Sequence, residues 1–490
     1  MLFTSYQFIL FVLVALILYY VVPKRIQWIV LLCMNMLFYV YAGLSGIIFI
    51  VTTIVTTYAG ARLIYREKDR SVRFIEEHKC DISRDEKKKL KNISLRKQKM
   101  FLTIVLFINF GILAVLKYTN LFIVTFTTFN TVDFILPMGI SFYTFQTLSY
   151  VIDVYRGDLK AEHHFGKYAA FISFFPQLVA GPIERADNLL PQIKEPEKFD
   201  YDNAAYGMRL AIVGFFKKLV IADNLGMFVD YVYQAEYFAG VHVILAIFAF
   251  SIQIYCDFSG YSDIAIGTAK LFNINLIKNF DSPYFSASVK EFWRRWHISL
   301  SNWFRDYLYI PLGGNRRGFM VSKLNVIFVF LVSGLWHGAG WNYVVWGGMH
   351  GVAQLFNNRK VNKNVKHNAV WWLKVLLTFL FVTLTWMVFR LGITETVNTL
   401  SGLSWRWCSF SESMDRIVDN TLLTHAKLAL VAVCAVLLMV YDYFSLKRDL
   451  LKEFGRLNVV VRCAVYVFMI MFILFEMPLV VTSRFIYFQF

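Results

Sequence analysis

Apolar residues run along this chain in stretches of about 17–25 positions separated by short polar links, the length a helix needs to cross a hydrocarbon core of about 30 Å. The pattern predicts spans near 5–22, 27–43, 44–62, 100–116 and 132–152. Further segments follow near 205–221, 241–258, 324–357, 371–392, 424–444 and 459–483. A transmembrane barrel would alternate polar and apolar positions instead. The expected fold class is therefore an all-α polytopic membrane protein with about 11 transmembrane helices, read as a single membrane domain over 1–490.

Polar stretches set the expected orientation. Residues 62–99 contain runs such as Arg84-Asp-Glu-Lys-Lys-Lys-Leu-Lys, soluble in character and assigned to the cytoplasm as a partly helical segment. The basic links Asn315-Arg-Arg, Asn358-Arg-Lys-Val-Asn-Lys-Asn-Val-Lys and Lys447-Arg-Asp-Leu-Leu-Lys are expected on the same side, with both chain ends outside. Residues 1–22 have no basic residue before their apolar run and no small-residue cleavage site after it, which favours a retained helix over a secretory signal. Between about 134 and 350 the apolar segments are interrupted by Pro137, Pro176, Pro182, Pro283, Pro311 and several glycines. Broken backbone at membrane depth needs protein or a water-filled cavity around it, so re-entrant and interfacial helices around a central cavity are expected there.

Composition narrows the picture further. The chain is 58% hydrophobic, above the roughly 45–50% of a soluble domain. Its net charge of +17 could suggest nucleic acid, but the basic excess falls in a few inter-span links and reads as topology signals, so no nucleic-acid partner is expected. The six cysteines are scattered without C-x-x-C spacing and predict neither a disulfide framework nor a metal site. No internal repeat stands out.

Two histidines in aromatic, apolar surroundings are the sharpest chemical candidates, because an ionisable group at membrane depth is costly and marks function by default. Residues 289–308 read as one amphipathic interfacial helix, with Val289, Phe292, Trp293, Trp296, Leu300, Trp303, Phe304 and Tyr307 at steps of three and four. Lys290, Arg294, Ser301 and Arg305 share its polar face and His297 falls on the border. His297 has two open readings, a cavity residue or a network histidine that orients its neighbours. The arginines also have two: snorkelling anchors, or a grip on the phosphates of a nucleotide-bearing donor, with Arg294, Arg295 and Arg305 the candidates and Arg316 and Arg317 nearby.

His337 ends an almost uncharged run, with glycines at 334, 338 and 340 that allow backbone or ligand to come close. A neutral imidazole in a cavity can take the proton of a hydroxyl attacking an acyl thioester. His350 reads as structural, and the remaining histidines, in polar links or near span ends, need no special role. Asp153 and Arg156, three residues apart, predict a helical pair. Asp257 and Asp263 leave cavity lining and helix capping both open.

The chain resembles the membrane-bound O-acyltransferase (MBOAT) superfamily, in the branch typified by the membrane subunit of bacterial alginate O-acetylation. The resemblance lies in Leu136-Pro-Met-Gly-Ile-Ser-Phe-Tyr-Thr-Phe-Gln, Phe175-Pro-Gln-Leu-Val-Ala-Gly-Pro-Ile, Tyr255-Cys-Asp-Phe-Ser-Gly-Tyr-Ser and Phe280-Asp-Ser-Pro-Tyr. It continues through Phe292-Trp-Arg-Arg-Trp-His-Ile-Ser-Leu-Ser, Tyr309-Ile-Pro-Leu-Gly-Gly-Asn and Leu335-Trp-His-Gly. Together these cover most of 134–351, the expected catalytic core.

The resemblance implies an MBOAT fold around a central funnel, with His337 at the position of the catalytic histidine, acting as general base, and His297 at a second motif histidine. It also implies acetyl transfer from cytoplasmic acetyl-CoA, as co-substrate and without a metal, towards an exported or cell-wall polysaccharide. It further implies a setting in the inner (cytoplasmic) cell membrane and a secreted or membrane-anchored O-acetyltransferase partner that completes the reaction. The alternatives are D-alanyl transfer to teichoic acid by a related enzyme, a polysaccharide transporter or flippase, and a noncatalytic scaffold.

Overall fold

The computed structural model describes residues 3–477 apart from 135, 180, 196–197, 235–239, 357–366, 403–409 and 422; the basic link at 358–366 and the end of the last expected span lie outside them. The described residues form helices and no strand. The first half carries α1 (Tyr6–Val21), α2 (Gln27–Ala42), α3 (Ile47–Glu77), α4 (Arg84–Phe126), α5 (Ile140–Arg156), α6 (Phe165–Ile172), α7 (Phe175–Leu178), α8 (Ala186–Lys194), α9 (Tyr201–Phe215), α10 (Asp223–Gln234) and α11 (Gly240–Leu271). Then come α12 (Val289–Arg295), α13 (Ile298–Phe304), α14 (Phe319–His337), α15 (Trp341–Leu355), α16 (Ala369–Leu391), α17 (Ile393–Gly402), α18 (Phe410–Asn420), α19 (His425–Ser445), α20 (Leu450–Phe454) and α21 (Val459–Glu476).

Among the described residues seven helices, α3, α4, α11, α14, α16, α19 and α21, are long and apolar enough to cross a bilayer. The other four expected spans are helices of 16, 16, 17 and 15 residues: α1, α2, α5 and α9. The charged segment 62–99 is a helical hairpin that prolongs α3 and α4. With 43 residues, α4 is about 65 Å long, roughly twice the hydrocarbon core. Its start is fixed by a capping box: the Ser83 hydroxyl accepts the Glu86 N–H at 3.2 Å while the Glu86 carboxylate accepts the Ser83 N–H at 2.9 Å.

Three sequence expectations change in the structure. The segment expected from 132 is helical only from Ile140, because Pro137 lacks an N–H and Gly139 turns the chain at φ 72°. The apolar stretch 324–357 is two helices, α14 and α15, parted at 338–340. Residues 289–308 are not one helix: the chain breaks at Trp296 and His297, and His297 adopts φ 44°, ψ 56°. At that break the Ile298 N–H donates to the Asn279 carbonyl at 2.9 Å, so a neighbouring loop takes over the helix's hydrogen bonding.

Close backbone approach organises the core. In the α14–α15 hairpin, a Cβ on Gly334 would stand 2.1 Å from the Tyr343 carbonyl oxygen, so the glycine near His337 serves helix packing. Along α9 and α11, Gly214 meets Gly260, and just beyond lies a π-helical turn, Phe216–Ala222, carrying Lys217 and Lys218. Lys217 pairs with Asp263 at 2.8 Å; Lys218 pairs with Asp223 at 2.6 Å and Asp257 at 2.5 Å. The Tyr255 hydroxyl donates to Asp442 at 2.5 Å beside them. Asp257 and Asp263, undecided from sequence, are thus members of a buried ion-pair network that ties α11 to the π-helical turn. Asp153 accepts the Tyr307 hydroxyl at 2.7 Å, whereas Arg156 reaches the Asp306 carbonyl at 3.0 Å; tertiary partners replace the expected helical pair.

Candidate active site: two histidines beyond a basic-rimmed groove

One face of α14 forms a wall of a cavity of about 540 Å³. Among its lining positions on that helix, Phe319, Ser322, Val326, Val329 and Ser333 step by three or four residues, with Lys323 and Phe330 beside them, and the next position in the stripe is His337. From 319 to 333 the stripe rises about 21 Å. Phe319 is 64% exposed at one end and Ser333 is 5% exposed at the other, so the cavity runs from surface to interior. The opposite wall comes from α12, α13 and the turn after it. Lys290, Arg294, Arg305 and Lys323 place four cations along the lining.

The end of α14 is held from α4. Lys117 Nζ donates to the carbonyls of Trp336 and His337, and the Tyr118 hydroxyl donates to the Leu335 carbonyl at 2.9 Å. These carbonyls end the helix without intrahelical partners, and a lysine suits that pole of the helix dipole. The His337 ring, 3% exposed, stands edge-on to Trp346 with centroids 5.2 Å apart and to Phe389 at 5.8 Å. The His297 ring is 6.5 Å from it, and Trp336 packs against both.

His297 is fully buried and locked by a side chain that sequence reasoning missed. The Asn279 Oδ1 faces His297 Nδ1 at 3.1 Å and also accepts the Ser299 hydroxyl at 2.9 Å, while Asn279 Nδ2 donates to Ser262 at 3.2 Å. A carbonyl oxygen can only accept, so the His297 proton sits on Nδ1 and Nε2 keeps its lone pair. That Nε2 is buried with no hydrogen-bond partner among the described residues. The loop bearing Asn279 is braced by Glu184, which accepts the Ile277 N–H at 2.5 Å and the Asn188 amide at 2.7 Å; burial pushes the Glu184 carboxyl up to about 7. Asn279→Ala is expected to free the His297 ring and lower turnover about 10–100-fold, while Asn279→Asp keeps the acceptor and much of the rate; a steady-state assay of both variants checks this.

His350 is a bonded core residue. Trp293 Nε1 donates to its Nδ1 at 3.1 Å and its Nε2 faces the Thr385 hydroxyl at 3.0 Å, whose own proton goes to the Val382 carbonyl. Of the candidate arginines, Arg294 and Arg305 line the cavity, whereas Arg295 lies outside the lining and is bound to Glu291 at 2.9 Å and to the Asp281 carbonyl at 3.3 Å. Arg305 also pairs with Asp306, which Arg185 contacts as well. Arg316 and Arg317 are exposed in the turn before α14.

Lys117 and the Lys217–Lys218 pair carried a readable signal, charges inside apolar runs. Asn279 carried none of that kind.

A helical fold with several apolar spans, two buried imidazoles, and a cation-lined groove whose α14 stripe stops one helical step short of His337 has the make-up of a membrane-embedded enzyme. Residues 159–359 match the MBOAT, membrane-bound O-acyltransferase family. The peptidoglycan O-acetyltransferase of Helicobacter pylori is 35% identical over 399 residues, 72% of this chain and 75% of that protein. The probable alginate O-acetylase AlgI of Pseudomonas aeruginosa is 44% identical over 256 residues, 52% of this chain and 49% of its own. The teichoic acid D-alanyltransferase of Bacillus subtilis is 28% identical over 268 residues, 51% of this chain and 68% of that one. The chain belongs to the membrane-bound O-acyltransferase family, in its AlgI-like branch, and is an acyltransferase that uses an acyl donor as co-substrate.

Proposed function

We propose that this protein moves an acetyl group from cytoplasmic acetyl-CoA across the inner membrane for O-acetylation of an exported or cell-wall polysaccharide. The observation that carries the reading is the groove along α14, lined by four cations and ending at Ser333, one helical step short of His337. The basic positions suit the phosphates of the donor, and the apolar side chains of Val326, Val329 and Phe330 suit its thioester arm. Orientation follows from the basic links, which put the cation-lined end towards the cytoplasm.

In the proposed reaction the acceptor hydroxyl gives its proton to His337 as its oxygen bonds to the thioester carbonyl carbon. The carbon–sulfur bond then breaks and the proton passes from the ring to the departing sulfur, leaving an ester and a free thiol. His297, with its Nε2 as acceptor, takes a hydrogen bond from a second hydroxyl of the acceptor and so orients the one that reacts. A secreted or membrane-anchored partner carries the acetyl group to its final acceptor. Residues 134–351 form the catalytic core of this scheme, and 62–99 its cytoplasmic segment.

The test supplies labelled acetyl-CoA to the purified protein in lipid and follows thioester loss and the destination of the label. Use of a D-alanyl carrier protein with no turnover of acetyl-CoA would instead favour the chemistry named for the Bacillus subtilis relative. Arg294→Glu is expected to raise KM for acetyl-CoA about tenfold or more with little change in kcat, because the lost contact is made equally in ground and transition states. Initial rates over a range of donor concentrations check it.

A further inference from the structure

Away from the catalytic groove, two cavities of opposite character meet at one side chain, Arg209 of α9. The first, about 800 Å³, is polar and carries both signs of charge: Arg209, Lys270, Lys452 and Arg456 against Asp200, Asp202 and Asp449. The second, about 290 Å³, is apolar, lined by Ile212 and Val213 of α9, Leu450 and Phe454 of α20, and Val465 and Met469 of α21. Between them lies α20, whose Leu450, Leu451 and Phe454 line the apolar cleft while Lys452 lines the polar cavity.

Arg209 is 9% exposed and fixed at this seam, its Nε donating to the Ala205 carbonyl at 3.0 Å and one terminal nitrogen to the Leu451 carbonyl at 2.6 Å. The chain after α20 passes directly over the guanidinium: a Cβ on Gly455 would stand 2.0 Å from it. The apolar cleft is closed on one side by α21, of which only 6% of the spanning window is buried within the protein, so it borders the lipid.

An ionic cavity joined to a hydrocarbon-lined cleft at a membrane-spanning helix has the shape of an amphiphile. Guanidinium and ammonium groups take a phosphate, and basic pockets beside spanning helices bind lipid headgroups. The three aspartates, set among four cations, give the ammonium of a headgroup that bears both charges a partner that a purely anionic headgroup would not use. We infer that the seam between α9, α20 and α21 binds a zwitterionic phospholipid, with its phosphate at Arg209, its amine towards the aspartates and an acyl chain in the cleft.

The test uses the purified full-length protein in detergent with phosphatidylethanolamine spin-labelled on an acyl chain. A saturable immobilised signal is expected, displaced by unlabelled phosphatidylethanolamine, about tenfold less well by phosphatidylglycerol, and not by inorganic phosphate. Val465→Trp, which fills the cleft from the lipid-facing helix, and the double variant Lys452→Ala/Arg456→Ala should each weaken binding about tenfold. Both change exposed positions, and an unaltered melting temperature verifies the fold. Arg209→Gln should weaken binding further. Equal binding by the folded variants, equal competition by phosphatidylglycerol, or displacement by free phosphate would each overturn the assignment. Acyl transfer is not the readout, so the result stands apart from the catalytic proposal.

Discussion

Alanine at position 337 is expected to lower acyl transfer by about 10²–10⁴-fold, the range a positioned general base contributes. The fold should survive the change. Lys117 and Tyr118 hold the end of α14 through the carbonyls of residues 335–337, and those bonds do not involve the imidazole. The packing loss falls within an aromatic enclosure of Trp336, Trp346 and Phe389, each of which keeps its other neighbours. Donor binding should therefore persist while turnover collapses, a fall in kcat with KM nearly unchanged. Labelled donor supplied to purified wild type and variant in lipid measures both. Turnover at the wild-type rate would remove His337 from the mechanism.

The second large effect concerns folding. Lys218→Met removes the cation shared by Asp223 and Asp257, side chains that are 5% and 4% exposed, and leaves two carboxylates facing each other in the interior. Removing one partner of a buried ion pair typically costs about 3–5 kcal/mol, because the surviving charge remains desolvated. A pronounced fall in melting temperature in detergent is expected. Adding Asp257→Asn and Asp223→Asn to Lys218→Met should recover part of it by taking away the buried charges that shared the lysine. A single variant that melts with wild type would show that the network contributes nothing to stability. The π-helical turn that carries Lys217 and Lys218 makes this region informative, since such turns recur where a helix departs from regular geometry for a purpose.

The helical, membrane-spanning character was legible because length and apolarity of a span are local properties that survive any tertiary context. The four shorter helices, α1, α2, α5 and α9, show where that reading blurs: hydropathy locates them but not their ends, and α9 runs on without a break into the π-helical turn Phe216–Ala222. The burial of His337 was legible for a similar local reason, an imidazole at the end of an uncharged run. The break at His297 was not. Its φ of 44° is imposed by a loop that offers the Asn279 backbone carbonyl and side-chain amide, and a helical wheel drawn through 289–308 has no means of representing either. Arg294 and Arg295 make the same point at neighbouring positions. One lines the groove and the other is held by Glu291 and Asp281, a distinction that depends on what α12 packs against. Asp153 found Tyr307 across 154 residues instead of Arg156 one turn away.

The tight wrapping of the two imidazoles also bears on selectivity between nucleophiles. Bulk solvent outnumbers any sugar hydroxyl, and an activated ester left open to it would be squandered by hydrolysis. Rings packed at 5–6 Å on several sides of His337 keep bulk water from the imidazole. Trimming that wrapping, for example at Phe389, should release free acid in place of modified polymer, turning a transferase into a wasteful esterase-like leak.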